Sequence, residues 1–220
     1  MPRRLRFASG GYVYHVLNRA VARDRIFDKS RDYAAFERVL KEAKSRMPMR
    51  LLAYCFMPNH WHLVVWPRAD GELSEYLRWL TVTHTQRWHA HHHTSGTGAL
   101  YQGRFKSFPV QEGAHLLAVC RYVERNPLRA NLVTQAETWR WGSLWHRVHG
   151  TEDRLLDAWP MEVPAGWVHP VNDVQSELEL ESLRRCLVRG RPYGSEPWRL
   201  ATAQKLGLQS TLRPRGRPRS

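Results

Sequence analysis

Two histidines one residue apart, His60 and His62, stand in the run His-Trp-His-Leu-Val-Val, whose aromatic and β-branched content is that of a strand. The side-chain period of a strand is two, so both imidazoles leave one face while Trp61 leaves the other. Imidazoles so placed can chelate one divalent cation. A pair of partly buried, hydrogen-bonded histidines fits as well, and with twelve histidines in the chain the pair alone does not decide. Tyr122 and Asn126 lie four apart in a stretch of helical spacing, hence on one helix face. A hydroxyl there can face a cleft with an amide oxygen beside it. Equally, Tyr122 can be a boundary residue and Asn126 the helix terminator before Pro127. Taken together, the four form a coherent set of two nitrogen ligands, one oxygen ligand and a nucleophile.

Several elements must position them. Residues 12–18 read as a strand. Asp28 or Ser30 can cap a helix with Tyr33, Phe36, Leu40 and Ala43 on one face. Residues 50–57 are apolar on both alternating faces, which predicts a central strand covered on both sides. Met57-Pro58-Asn59 is turn chemistry, so residues 60–66 return as the second strand of a hairpin. Leu73, Tyr76, Leu77, Leu80 and Trp88 mark a long helix ending near His91. A short strand over 105–110 and a helix over 115–126, stopped by Pro127, follow. This order predicts an α+β sandwich around an antiparallel sheet flanked by helices.

The 220 residues carry 34 Lys plus Arg against 20 Asp plus Glu, for a formal charge of +14, and 42% are hydrophobic. That apolar fraction excludes a disordered chain. No run of eighteen apolar residues exists to span a membrane, and the basic start lacks the apolar stretch of a signal peptide. Cys55, Cys120 and Cys186 are far apart and form no C-x-x-C pair, which argues against a disulfide framework and for a reducing cytoplasm. Arginine-rich charge with ten tryptophans points to nucleic acid rather than a membrane surface. Residues 151–183 hold eight acids and one base, and residues 184–220 ten bases and one acid. The expected organisation is a folded unit over 1–150, an acidic connector over 151–183 and a basic appendage over 184–220.

The runs Met57-Pro-Asn-His-Trp-His-Leu-Val-Val65, Tyr101-Gln-Gly-Arg-Phe-Lys-Ser107 and Arg121-Tyr-Val-Glu-Arg-Asn-Pro-Leu-Arg-Ala130 resemble the REP-associated tyrosine transposases. These are single-tyrosine members of the insertion-sequence-type HUH nucleases. Tyr14-His-Val-Leu-Asn-Arg19 and Trp139-Arg-Trp-Gly-Ser143 extend the resemblance over roughly residues 10–150, in register. It implies the ferredoxin-like, RRM-like HUH sandwich and a nickase and strand transferase of single-stranded DNA. His60, His62 and Asn126 would bind Mg²⁺ or Mn²⁺. Tyr122 would attack the scissile phosphate, leaving a 5′-phosphotyrosine and a free 3′-OH that permit rejoining without ATP. Hairpins from palindromic repeats would be the target, acted on by a monomer in two reactions or by a homodimer.

Candidate DNA contacts are Arg19, Arg104, Lys106, Arg121, Arg125 and Arg129. Arg104 and Lys106 flank Phe105 and share a face if they share a strand, where they either track phosphates or form a solvated face. Arg23 and Arg25 add to the patch begun by Arg19. Trp139, Trp141 and Trp145 are read mainly as core, with base stacking as the alternative. His89 and His91 to His93 are read as a solvated helix end and left out of the site. Arg215 and Arg217, in Pro214-Arg-Gly-Arg-Pro218, match an AT-hook core or simply a basic tail. Two other functions compete with the transposase: a domesticated hairpin-DNA binder that no longer cuts, and a metal-dependent hydrolase using activated water.

Overall fold

A computed structural model describes residues 8–150 and 155–213. Four strands, β1 (Val13–Arg19), β2 (Arg50–Met57), β3 (His60–Trp66) and β4 (Lys106–Val110), form one antiparallel sheet in the order β2-β3-β1-β4. Helices α1 (Ser30–Arg46) and α2 (Glu72–His92) cover one face and α3 (Ala114–Glu124) the other. Beyond α3 come the single turn α4 (Asn126–Arg129), then α5 (Ser143–His149), α6 (Val168–Asn172), α7 (Glu177–Arg189) and α8 (Glu196–Lys205). This is the expected α+β sandwich with the ferredoxin-like strand order.

Apolar spacing drives α1 onto the sheet, where Tyr33, Phe36, Val39, Leu40 and Ala43 are buried. Its cap differs from the expectation. Lys29 is the N-cap residue, and the Asp32 carboxylate, three residues on, accepts the backbone N–H groups of Lys29 (2.9 Å) and Asp28 (3.0 Å). Residues Leu63 and Val65 of β3 and Val16 of β1 meet α1 and α2, whereas Val13, Val64 and Phe108 meet α3.

β2 is not central, as its doubly apolar pattern implied, but lies at the sheet edge. Its open side is covered by residues from 139–147 and 155–159 instead of a strand. Phe56 N–H donates to Trp141 O (2.9 Å), Tyr54 N–H to Ser143 Oγ (3.0 Å) and Leu51 N–H to Asp157 Oδ2 (2.8 Å). Trp139 Nε1–H donates to Phe56 O (3.0 Å), while Trp159 Nε1–H and the Arg147 guanidinium both reach Leu52 O. An edge so satisfied is closed to further pairing. A register shift between Leu51 and Ala53 turns Leu52 toward the α3 side. Apolar residues therefore line both faces of a strand that, among the described residues, has one strand neighbour.

The later segments join the same core. Trp159, Trp167 and Val171 pack with Val119, Cys120 and Val123 of α3, and Leu183 and Cys186 of α7 are in that cluster. At the far edge Tyr193 N–H donates to Pro109 O and Gln111 N–H to Tyr193 O, both at 2.9 Å. All three cysteines are free and buried. Among the described residues, no helix is long and apolar enough to cross a membrane.

Candidate active site

His60 opens β3 directly after the Pro58-Asn59 turn, opposite Arg19, and His62 lies opposite Leu17. Alternation places both imidazoles on the α3 face, with ring centroids 5.0 Å apart. Trp61 is fully buried on the other face, its Nε1–H donating to the Tyr101 hydroxyl (3.0 Å), which in turn bonds His84. A third imidazole completes the group. His15 Nε2 lies 2.8 Å from His62 Nδ1, and His15 is 1% exposed.

These contacts decide which nitrogens remain open. His60 Nδ1 lies 2.6 Å from Asn59 Oδ1, an oxygen that can only accept, so the proton sits on Nδ1 and Nε2 keeps its lone pair. His62 likewise has Nδ1 engaged and no hydrogen bond to Nε2 among the described residues. If His62 Nδ1 donates to His15 Nε2, its Nε2 is free for a cation. His15 then carries its proton on Nδ1, a buried atom with no partner among the described residues.

Burial first of all pushes the His60 pKa down to about 3, with Arg19 and Arg129 adding to the effect. It does the same for His15, to about 3, and holds His62 well below the usual range, helped by His60, His15 and Arg129. All three rings are therefore neutral near pH 7, which is the form that binds metals.

Tyr122 lies on the inner side of α3, its ring centroid 5.9 Å from that of His62 and 6.1 Å from that of His15. The Arg129 guanidinium lies over the tyrosine ring, 4.3 Å from its centroid. The helical hydrogen-bond ladder is interrupted between α3 and α4, although Arg125 keeps an α-region backbone, because Pro127 has no N–H to return to Val123. Asn126 serves the break by donating from Nδ2 to Tyr122 O (3.1 Å), while its Oδ1 accepts from Arg129.

The structure thus brings His60, His62, Tyr122 and Asn126 to one end of the α3 face, with Arg19 and Arg129 beside them. Arg19 Nε and Arg129 Nη1 are buried donors with no partner among the described residues. Arg121 donates to the carbonyls of Asp173 (3.0 Å) and Val174 (3.2 Å), and Arg125 to those of Val171 (3.0 Å) and Asn172. Those two arginines fasten α3 to α6, and the cation over Tyr122 is Arg129. Lys106 is exposed at the start of β4, opposite Leu17. Arg104 precedes the strand instead of sharing it and lines a cavity of about 610 Å³ with Asn18, Arg78 and Phe105. Arg215 and Arg217 fall outside the described residues.

His15 was the residue missed. With Asn18 it is one of two buried polar residues in β1, but only the pairing of β1 with β3 shows which neighbour it meets.

Two neutral imidazoles fit a divalent cation, His60 with Nε2 open and His62 likewise when its Nδ1 donates to His15, and the arginine donors beside them suit the phosphate that such a cation would share. The Asn126 oxygen has a second lone pair beyond the one given to Arg129, so it can serve as a third ligand.

The IS200-like transposase family model matches residues 9–126. A REP-associated tyrosine transposase solved bound to a REP hairpin superposes with a TM-score of 0.54 at 18% identity, covering 75% of this chain and 95% of that one. A candidate transposase from Deinococcus radiodurans R1 aligns with a TM-score of 0.39 at 15% identity, over 56% of this chain and 96% of that one. No curated protein matches the chain. At these identities only the first superposition bears on the argument, and it speaks for the fold.

Proposed function

The chain belongs to the IS200-like transposases, and from that membership we propose that it nicks and rejoins single-stranded DNA through Tyr122. The observation that carries this reading is the pair His60 and His62, rings 5.0 Å apart and each with Nδ1 engaged, with His62 5.9 Å from the Tyr122 ring that lies under Arg129. Mg²⁺ or Mn²⁺ held by His60, His62 and Asn126 would polarise the scissile phosphate and offset its developing charge. Arg19 and Arg129 would hold the non-bridging phosphate oxygens with their unpaired donors.

In the forward step the Tyr122 hydroxyl oxygen bonds to phosphorus and gives its proton to solvent. The bond from phosphorus to the 3′ oxygen breaks, and that oxygen leaves as a 3′-OH. A second 3′-OH reverses the step and releases the tyrosine, so the energy of the phosphodiester is conserved. Lys106, on the same sheet face, extends the basic track. Arg121 and Arg125 can reach phosphate only by leaving the carbonyls that hold them, and Arg104 by a strand running over its cavity. Because the superposed relative was solved on a REP hairpin, a folded single strand is the substrate proposed here.

The test is a labelled hairpin oligonucleotide with Mn²⁺ on a denaturing gel. A protein-linked band in wild type, absent from Tyr122→Phe and His60→Ala, supports the reading. Cleavage that survives Tyr122→Phe without a linked band overturns it in favour of water-based hydrolysis. Tight hairpin binding with no cleavage across several substrates overturns it in favour of a non-cutting binder.

A further inference from the structure

A second group of metal-type donors lies on the opposite side of the sheet, where the start of α1 meets the end of α2. Asp32, His91 and His92 each place one ligand atom so that all three lie within 4.8 Å of one another. We propose that this group is a second cation site, selective for a zinc-class ion and separate from the nicking centre. The proposal does not depend on the transposase reading.

Two of the three donors are held in place. Asp32 is buried, and its Oδ2 accepts the amides of Lys29 and Asp28, which leaves Oδ1 without a donor among the described residues. Burial alone would raise the Asp32 pKa, but those amides, with His92 and Arg31, bring it below its usual value, so the carboxylate is ionised. His92 is exposed, yet its ring stacks on Trp88 at 4.2 Å and 24°, and Trp88 Nε1–H donates to Ile26 O at 2.9 Å. Outer partners that fix a ligand's orientation in this way are the usual support of a metal site. His91 supplies the third atom, its ring 5.1 Å from that of His92.

The chemistry selects the ion. Two imidazoles and one carboxylate suit Zn²⁺ or its transition-metal neighbours, whereas Mg²⁺ prefers oxygen. Three protein ligands leave at least one position for water. The carbonyls ending α2 favour a cation there, while nearby Lys29 and Arg31 oppose it and lower its affinity. A bound ion would tie the first turn of α1 to the last turn of α2, helices already joined by apolar packing and by the Arg87–Glu42 ion pair.

The experiment is Zn²⁺ titrated into the full chain against a chromophoric chelator, with melting curves in Zn²⁺ and in EDTA. Wild type and His60→Ala should both bind at this site. His91→Ala and His92→Ala, which replace exposed side chains, should each lose one zinc equivalent. Wild type should melt roughly 5–10 °C higher when free zinc exceeds Kd a hundredfold, and His91→Ala should not. Because Trp88 stacks on His92, His91→Ala is the cleaner probe, and its Co²⁺ visible bands should vanish as well. Equal zinc uptake and equal melting shifts in wild type, His91→Ala and His92→Ala would overturn the site.

Discussion

The imidazoles of His15 and His62 meet across paired strands, Nε2 of the first 2.8 Å from Nδ1 of the second. The contact is buried, and with both rings neutral one of them donates to the other. A cation on His62 Nε2 requires the donor to be His62. With His62 as a metal ligand, as proposed above, His15 would be its positioning residue.

It follows that His15→Phe should weaken Mn²⁺ binding by about 10–100-fold, the usual effect of removing an outer partner of a ligating histidine. The ring space is conserved beside Phe108, so the fold should persist. Calorimetric titration with Mn²⁺ reads the effect directly, and unchanged affinity in His15→Phe would remove His15 from the site.

Arg129 touches both the Tyr122 ring and the Asn126 oxygen and keeps one buried N–H group unpaired. Arg129→Gln should lower hairpin affinity and flatten the plot of log affinity against log salt by about one. Arg125→Gln should change that slope less, since its guanidinium is occupied by carbonyls. Binding isotherms at four salt concentrations compare the two.

The Glu124 carboxylate is buried and held by Ser143 Oγ (2.6 Å), Arg147 Nε (3.0 Å) and Trp167 Nε1 (2.6 Å). It ties the helix bearing Tyr122 to α5 and to the segment before α6. Arg147→Ala strands that charge and should cost about 3–5 kcal/mol, the usual penalty for breaking a buried pair. Urea denaturation measures it, and a loss under 1 kcal/mol would show that Glu124 finds another partner.

Acid should destabilise the fold early. Burial lowers the pKa values of His15, His60 and His84 to about 3, against about 6.5 in the unfolded chain. Between those limits the unfolded state binds more protons, so stability is complete above pH 6.5 and declines as the pH falls toward 3. The melting temperature should drop steadily from pH 7 to pH 5. A flat profile over that range would contradict neutral, buried histidines.

Much of this was legible in the residues themselves. Alternation placed His60 and His62 on one face and Trp61 on the other, and helical spacing placed Tyr122 above Asn126. What could not be read needed strand order and long-range partners. β2 looked central because an edge covered by side chains and loop carbonyls has the same apolar pattern as one covered by strands. Arg121 and Arg125 looked free because their acceptors lie about fifty residues away. His91 and His92 looked like a loose helix end because Asp32 approaches them from a different helix.

The central claim is that Tyr122 becomes covalently joined to DNA. After reaction with a hairpin oligonucleotide and Mn²⁺, nuclease and tryptic digestion should release the peptide 122–125, which lies between Arg121 and Asn126. Its mass reads the chemistry. The account predicts a nucleotide phosphate on Tyr122 in wild type and none in His60→Ala. Cleaved DNA bearing a free 5′-phosphate, beside an unmodified peptide 122–125, would contradict it.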